Sequence, residues 1–357
     1  MKVAINGYGR IGRNVLKAIY EYGKYKDFKI VAINTIGDNI STHALLTEYD
    51  SVHGKFPFSV DYSHDSIIIH HQYVQHKNND SNNHSENFKI RNKADIIPIF
   101  QEKNPSLLPW QELAVDLVFE CTGVFTNRST AQKHLEAGAK RVIISAPAKD
   151  VDATIVFGVN NSQINAQTKI VSNASCTTNC LAPIAKIIND QFGIEQGIMT
   201  TIHSYTNDQV LNDVYHGDVR RARASNLSMI PTKTGATKSL ELVLPELTNK
   251  LDGYSLRVPT ANVSVVDFCF NPSKLFTKDD LHELIKYHTH NDFKNIVGYN
   301  EQPLVSIDFT HNPLSAIFDG NETKIINNMV KILAWYDNEW GFANRLLDTA
   351  ELIGKYL

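Results

Sequence analysis

Cys176 is the side chain in this sequence best placed by its neighbours to do chemistry. It sits in Ser172-Asn173-Ala174-Ser175-Cys176-Thr177-Thr178-Asn179-Cys180, among small and hydroxylated residues. Lys169-Ile170-Val171 upstream reads as a short buried strand. Leu181 to Ile188 downstream carries apolar residues at helical spacing. The cysteine therefore falls where a strand gives way to a helix. Ser175, Thr177 and Thr178 are N-cap types, and the free N–H groups of a helix start favour negative charge. Such a place should lower a thiol pKa, and it could hold an oxyanion or a phosphate. The plain alternative is a small buried filler, the usual fate of a free cysteine. No second pair of Cys or His at ligand spacing accompanies Cys176 and Cys180, so no metal site is expected. Cys180 should lie one helical turn on and face the core. A second reactive type, His203, lies inside a strand-like run, Met199 to Thr206.

A glycine loop opens the chain. Lys2-Val3-Ala4-Ile5-Asn6 reads as a strand, Gly7-Tyr8-Gly9-Arg10-Ile11-Gly12 follows at once, and a helical pattern runs from Arg13 to Glu21. G-x-G-x-x-G between strand and helix is the context of a dinucleotide fingerprint. Gly7 permits the tight turn, Gly9 lets backbone approach a pyrophosphate, and Gly12 lets the helix pack on the sheet. The second strand, Lys29 to Asn34, ends where adenosine ribose should be read, roughly 20 residues past the fingerprint. The acid expected there is missing: Thr35 follows Asn34, and the nearest acid is Asp38. A threonine offers a hydroxyl but cannot repel a 2′-phosphate. Either Asp38 compensates, or discrimination between NAD and NADP is weakened.

Further strands are expected at Val115 to Gly123 and Arg141 to Ser145, with a helix around Ser129 to Ala137. This alternation implies a parallel, doubly wound sheet whose strand ends, including Thr122, Gly123 and Ser145, face the cofactor crevice. Beyond His203 the pattern changes. Leu251 to Val258, Asn262 to Phe270, Leu304 to Phe309 and Lys331 to Tyr336 read as strands with no helix between each pair, which implies a mixed or antiparallel α+β second domain. A last helix is expected from about Glu339 to Tyr356. The polar, Asn-rich tract Gln75 to Asn87 reads as an exposed insertion, with His70, His71 and His76 as solvated neighbours rather than metal ligands.

With 357 residues there is room for two domains, and 42% hydrophobic and 20% charged residues are ordinary for a globular protein. A net charge of −3 gives no pull toward nucleic acid or membrane. The start of the chain shows no signal-peptide pattern, and four scattered cysteines make no disulfide framework. A reducing cytoplasm is the expected compartment.

The glycine loop, Ser172 to Pro183, Thr200 to Gln209, Arg220 to Ala224, Ile230 to Lys238, Leu251 to Asp267 and Trp335 to Arg345 together resemble the phosphorylating glyceraldehyde-3-phosphate dehydrogenase family over nearly the whole chain. The runs S-N-A-S-C-T-T-N-C-L-A-P and W-Y-D-N-E-W-G-F-A-N-R are long and specific. Erythrose-4-phosphate dehydrogenase, the sister enzyme, shares both. The resemblance implies an NAD-binding domain over 1–175, a catalytic domain over 176–337, and a terminal helix, 338–357, packing back on the first. It implies Cys176 as nucleophile and His203 as its base and ion-pair partner. Thr206 and Arg257 would hold the phosphate of an aldehyde substrate. Ser175, Thr177, Thr234 and Gly235 would hold the attacking inorganic phosphate. Arg10, Ile11 and Asn338 would join the cofactor site, Asn338 at the nicotinamide carboxamide. Arg221 counts with the anion-binding set, while Arg220, Arg221 and Arg223 also look like subunit contacts in a homotetramer. NAD is the expected cofactor, with some tolerance of NADP.

Some segments lean toward the sister enzyme: Val214-Tyr215-His216 stands in place of Leu-Pro-His, and Leu304 to Phe309 departs the same way. Tyr205 to Gln209 and Pro231 to Ala236 follow the glyceraldehyde enzyme. The second of these carries the attacking-phosphate site, which oxidation to a free acid does not need. A non-catalytic binding paralogue is the reading from another class, and intact Cys176, His203 and Arg257 speak against it.

Overall fold

The computed structural model describes residues 1–73 and 93–357, so the Asn-rich insertion and His76 lie outside the described residues. The first half of the chain forms a nine-stranded sheet. Its order is Ala153–Thr154, Ile170–Ser172, Arg141–Ile144, Leu117–Glu120, Lys2–Asn6, Lys29–Asn34, Ala94–Phe100, Ser66–Tyr73, Phe58–Tyr62. The strands from Ala153–Thr154 to Ala94–Phe100 pair in parallel, and the last two add antiparallel. Lys2–Asn6, Lys29–Asn34 and Leu117–Glu120 are apolar runs buried along most of their length, as strands covered on both faces must be. Lys2–Asn6 lies between the second strand and Leu117–Glu120, so the order reverses there. A crevice opens at such a switch point, and the glycine loop leaves the strand into it.

The sequence reading passed over the antiparallel extension. Ile67, Ile69 and Ile97 are fully buried while Ile96 is exposed, the alternation of half-buried strands. Leu304 to Phe309 is not a strand. It contains a short 3₁₀ turn, Ser306–Phe309, in which Asp308 Oδ2 accepts the Val305 N–H at 2.8 Å. A local side-chain acceptor competes with sheet pairing and wins here.

The second sheet has seven strands: Ile230–Thr232, Leu251–Val258, Ile194–Ser204, Ser264–Pro272, Met329–Tyr336, Ala316–Ile326, Val297–Asn300. It is mixed, with most neighbours antiparallel. Helices Cys176–Phe192, Ala236–Val243 and Lys278–His290 share one core with the sheet, through Leu181, Leu240 and Ile285 against Phe268 and Val330. After Met329–Tyr336 the chain turns into helix Trp340–Gly354. Asp337 Oδ1 caps that start by accepting from the N–H groups of Glu339 and Trp340, at 2.9 and 2.8 Å. The apolar side of this helix, Leu346, Leu347, Ala350 and Ile353, packs into the core of the first sheet with Val15, Leu16 and Ile19. The segment that precedes it belongs to the other sheet, so the two halves are joined beside residues 337–340.

Candidate active site

Cys176 is the first residue of its helix because Ser175 caps it. Ser175 Oγ accepts from the Thr178 N–H at 3.0 Å. The turn from strand to helix is tight enough to put Ala174 in the left-handed region, at φ 55°. Side chains hold it there. Ala174 N donates to Ser172 Oγ at 3.1 Å, and Asn179 Nδ2 donates to the carbonyls of Asn173 and Ser175 at 2.8 and 2.9 Å. Cys180, one turn on, is fully buried.

His203 comes from Ile194–Ser204, which runs parallel to Leu251–Val258 with His203 directly opposite Arg257. Residues in register share a face of the sheet. The result is a row of reactive groups. His203 Nε2 lies 3.4 Å from Cys176 Sγ, and Arg257 Nη1 lies 2.8 Å from His203 Nδ1 while donating to Ser204 O at 2.9 Å. His203 Nδ1 is 2.7 Å from the same carbonyl. Assigning the ring proton to Nδ1, as a donor to that carbonyl, leaves the Nε2 lone pair facing the thiol.

Burial dominates the electrostatics. It pushes the Cys176 thiol up, against the guanidinium of Arg257 and the hydrogen bonds from Thr177, so the helix start does not lower it as expected. Burial, and then the positive charge of Arg257, pull His203 down to about 3. Each charge alone is disfavoured. Moving the proton from Sγ to Nε2 creates both charges together, and their attraction offsets part of that burial.

Tyr336 is a site residue that the sequence reading missed. Its hydroxyl bridges Thr177 Oγ1 at 2.8 Å and Thr201 Oγ1 at 2.7 Å, and its ring meets the His203 ring edge-on at 6.0 Å. It lies inside the W-Y-D-N-E run, two residues before Asn338, which was the available signal.

The anion-binding candidates gather around a second helix start. Thr234 and Gly235 precede Ala236–Val243, with Thr234 Oγ1 accepting from Ala236 N at 3.2 Å. Thr178 Oγ1 donates to Ala236 O at 3.4 Å, so this start abuts that of the cysteine helix. Two adjacent sets of helix-start N–H groups suit an anion. Arg221 donates from Nε to Thr232 Oγ1 at 3.0 Å and forms an ion pair with Asp208. Its charge reaches His203. Thr206 accepts from Gln209 N at its carbonyl, at 2.9 Å, with no hydrogen bond of its hydroxyl among the described residues. Arg223 pairs with Asp213 at 2.8 Å, both side chains exposed.

The glycine loop opens into a cavity of about 440 Å³, lined by Gly7, Gly9, Asn34, Thr35 and Thr122. Gly7 has φ 92°, and a Cβ there would come within 2.6 Å of Thr122 N. A Cβ on Gly12 would sit 2.1 Å from Gly7 O, while Gly9 faces open space. Ile11 packs on the core of the first sheet. The Arg10 guanidinium turns away from the cavity to Glu339 and Asp50. Ser145 N donates to Glu120 O at 2.9 Å and its hydroxyl meets Cys121, placing Ser145 beside the lining rather than in it. Gly123, at φ 71°, turns the chain between Thr122 and Val124.

Asn34 plays another part than expected. Its Nδ2 donates to Asn6 Oδ1 at 2.7 Å and to Glu102 O at 2.9 Å, and its Oδ1 accepts from Glu102 N at 2.9 Å. The side chain therefore holds the loop after Ala94–Phe100 against the cavity. That loop brings Glu102 and Lys103 into the same lining as Thr35, whereas Asp38 does not line it. Asn338 sits against the end of the strand that carries His203. Its Oδ1 accepts from the hydroxyls of Ser204 and Ser264, both at 2.9 Å, which leaves Nδ2 free to donate. An open Gly9 and a threonine-lined crevice suit a dinucleotide, and Asn338 offers an oriented amide next to His203's strand.

Family models match both halves of the chain. The C-terminal domain of glyceraldehyde 3-phosphate dehydrogenase matches residues 175–338, and the NAD binding domain of the same enzymes matches 1–87 and 74–128. The chain belongs to the glyceraldehyde-3-phosphate dehydrogenase family. A plasmid-borne glyceraldehyde-3-phosphate dehydrogenase of Cupriavidus necator is 52% identical over 351 residues, covering 98% of this chain and 97% of that protein. The enzyme of Pseudomonas aeruginosa is 50% identical over the same shares, and that of Xanthobacter flavus is 49% identical over 99% of each chain. NAD is the cofactor that this family assignment carries, and no helix among the described residues is long and apolar enough to cross a membrane.

Proposed function

We propose that this protein oxidises D-glyceraldehyde 3-phosphate and joins the product to inorganic phosphate, giving 1,3-bisphosphoglycerate, with NAD as oxidant. The observation that carries the reading is Cys176 Sγ at 3.4 Å from His203 Nε2, with Arg257 in register beside the histidine. The sulfur adds to the aldehyde carbon, and the thiol proton passes by way of His203 to the carbonyl oxygen, forming a thiohemiacetal. NAD, when bound, supplies the hydride acceptor. His203 Nε2 takes the hydroxyl proton as the carbon becomes a thioester. A phosphate oxygen then attacks the thioester carbon and the sulfur leaves as thiolate. Arg257 and Thr206 hold the phosphate of the aldehyde. Ser175, Thr177, Thr234 and Gly235 hold the attacking phosphate, a reading that the two adjoining helix starts support, and Arg221 adds its charge to the anion-binding set. Initial rates with glyceraldehyde 3-phosphate and erythrose 4-phosphate, each with and without phosphate, test this. Higher activity with the four-carbon aldehyde, independent of phosphate, would assign the chain to the sister reaction.

A homotetramer is part of the same proposal. Leu211, Val219 and Tyr215 are 72%, 82% and 94% exposed on the segment that carries Arg220 to Arg223, an apolar surface that a neighbouring subunit would cover. Light scattering at micromolar concentration should give about four chain masses. A monomer mass refutes it. The four free cysteines suit a reducing compartment, the cytoplasm. The same reading divides the chain into an NAD-binding domain up to residue 175 and a catalytic domain from Cys176, a division that the start of the Cys176–Phe192 helix supports.

A further inference from the structure

A buried row of polar side chains leads into the wall of the glycine-loop cavity. Asn6, Asn34 and Glu120 each end a strand, and they lie in register, with Asn6 between the other two. In-register residues of neighbouring strands share a face, so the three side chains meet. Glu120 is 1% exposed, and His134, from helix Arg128–Glu136, is fully buried against it. Glu120 Oε2 lies 3.0 Å from His134 Nε2 and accepts from Asn6 Nδ2 at 2.5 Å. Its Oε1 accepts from Thr122 N at 2.8 Å and from the Thr122 hydroxyl. Neither Glu120 nor His134 lines the cavity, whereas Asn6, Asn34 and Thr122 do.

The donors and acceptors of this row fit together in one direction only. Trp110 Nε1 can only donate, and it faces His134 Nδ1 at 3.0 Å. The ring proton of His134 therefore sits on Nε2 and points at Glu120. Four donors then meet the two oxygens of Glu120, as many as a carboxylate takes. Asn6 Nδ2 and His134 Nε2 are 3.4 Å apart because both donate to one oxygen. Asn6 must turn Nδ2 to Glu120, so it turns Oδ1 to Asn34. Asn34 must answer with Nδ2, at 2.7 Å, which leaves its Oδ1 to accept from Glu102 N at 2.9 Å. Asn34 Nδ2 also donates to Glu102 O, at 2.9 Å. Turning over either amide would set like groups against each other in a buried place, where unmade hydrogen bonds are costly. The Thr122 hydroxyl is fixed as well. It gives its proton to Glu120 and accepts from Val124 N at 3.0 Å, so it offers a ligand only a lone pair.

The row ends on the loop that carries Glu102 and Lys103 into the cavity wall. Its direction starts from Glu120, the member that only accepts. We infer that Glu120 is a positioning residue for the cofactor: by orienting the Asn6 and Asn34 amides and the Thr122 hydroxyl, it holds Thr122 and the Glu102–Lys103 loop in the arrangement that binds NAD. This rests on the reading of the glycine-loop cavity as the NAD site.

Glutamine has the size of glutamate but a single acceptor oxygen, so in Glu120→Gln it can serve Thr122 or the Asn6–His134 pair, not both. NAD affinity of the full-length protein, measured by calorimetric titration, should fall about tenfold in that variant, the effect of a lost buried hydrogen bond. Its KM for NAD should rise, while kcat and the KM for the aldehyde stay close to those of the unmodified protein. Hydrogen exchange read by mass spectrometry should quicken over residues 101–104, where Asn34 holds the Glu102 N–H, and not over strand Arg141–Ile144. Equal loss of protection in both segments would mark a general loosening and overturn the proposal. Asn34→Ala cuts the row at its far end and should weaken NAD binding too. The double variant should lose less affinity than the product of the two single factors, because both changes break one row. Unchanged NAD affinity in Glu120→Gln, or single factors that simply multiply, overturns the proposal. If Glu120→Gln fails to fold, Asn34→Ala decides alone, and unchanged affinity or unchanged exchange over 101–104 overturns the proposal equally. Absence of NAD binding by the unmodified protein would instead overturn the cofactor site itself.

Discussion

His203 should make the folded protein sensitive to acid, and the size of the effect follows from its burial. Its ordinary value is 6.5 and burial beside Arg257 holds it at about 3 in the folded chain. Above the ordinary value both states are neutral and His203 contributes nothing to the pH dependence. Below it, the unfolded chain takes up a proton that the folded chain refuses. Stability is therefore lost as the pH falls from 6.5 toward about 3. At about pH 5, about 1.5 units into that window, the loss is about 2 kcal/mol at about 1.4 kcal/mol per unit. His203→Asn removes the titrating ring and should remove that share of the loss. Urea unfolding followed by tryptophan fluorescence at about pH 7.5 and about pH 5, for both proteins, gives the difference. If both lose the same stability, His203 is already protonated in the folded state. The resting pair would then be thiolate and imidazolium, and burial would not be the dominant influence on it.

Two further perturbations probe residues that entered through the structure. Tyr336→Phe strands the hydroxyls of Thr177 and Thr201, so it should cost about 1–3 kcal/mol of stability and raise the KM for phosphate more than that for NAD. Equal KM values for phosphate would separate Thr177 from the phosphate site. Lys103 is exposed and lines the same cavity as Thr35, and its charge can favour a 2′-phosphate by at most about 1 kcal/mol, about fivefold in the ratio of NADP to NAD specificity constants. NAD should remain preferred in the unmodified protein. Lys103→Ala and Thr35→Asp should each sharpen that preference, and a ratio unmoved by either would put the adenosine ribose elsewhere.

The strands and helices that carry the chemistry were legible because their signals are local. The glycine loop sits between strand and helix in one short stretch. Ser175 announces the cap of the cysteine helix three residues before the N–H it accepts. The pairing of His203 with Arg257 was beyond sequence patterns alone. It depends on the register of two parallel strands joined by a long crossover, and no local feature fixes that register. Lys103 and the internal role of Asn34 were hidden for a similar reason: both depend on the Ala94–Phe100 strand, which follows the polar insertion and was not read as a strand. The thiol was misjudged in one respect. Its helix start is real, but burial, which the sequence does not display, outweighs it.

Whether Cys176 becomes an acyl thioester that phosphate discharges is the central question, and intact-protein mass spectrometry answers it directly. Mixing the protein with glyceraldehyde 3-phosphate and NAD in phosphate-free buffer should add the mass of one phosphoglyceroyl group to the chain. Adding inorganic phosphate should release it. Cys176→Ser should bind NAD and accumulate no adduct. A product formed at full rate with no adduct on Cys176, or NADH formation at near-normal turnover by Cys176→Ser, contradicts the account.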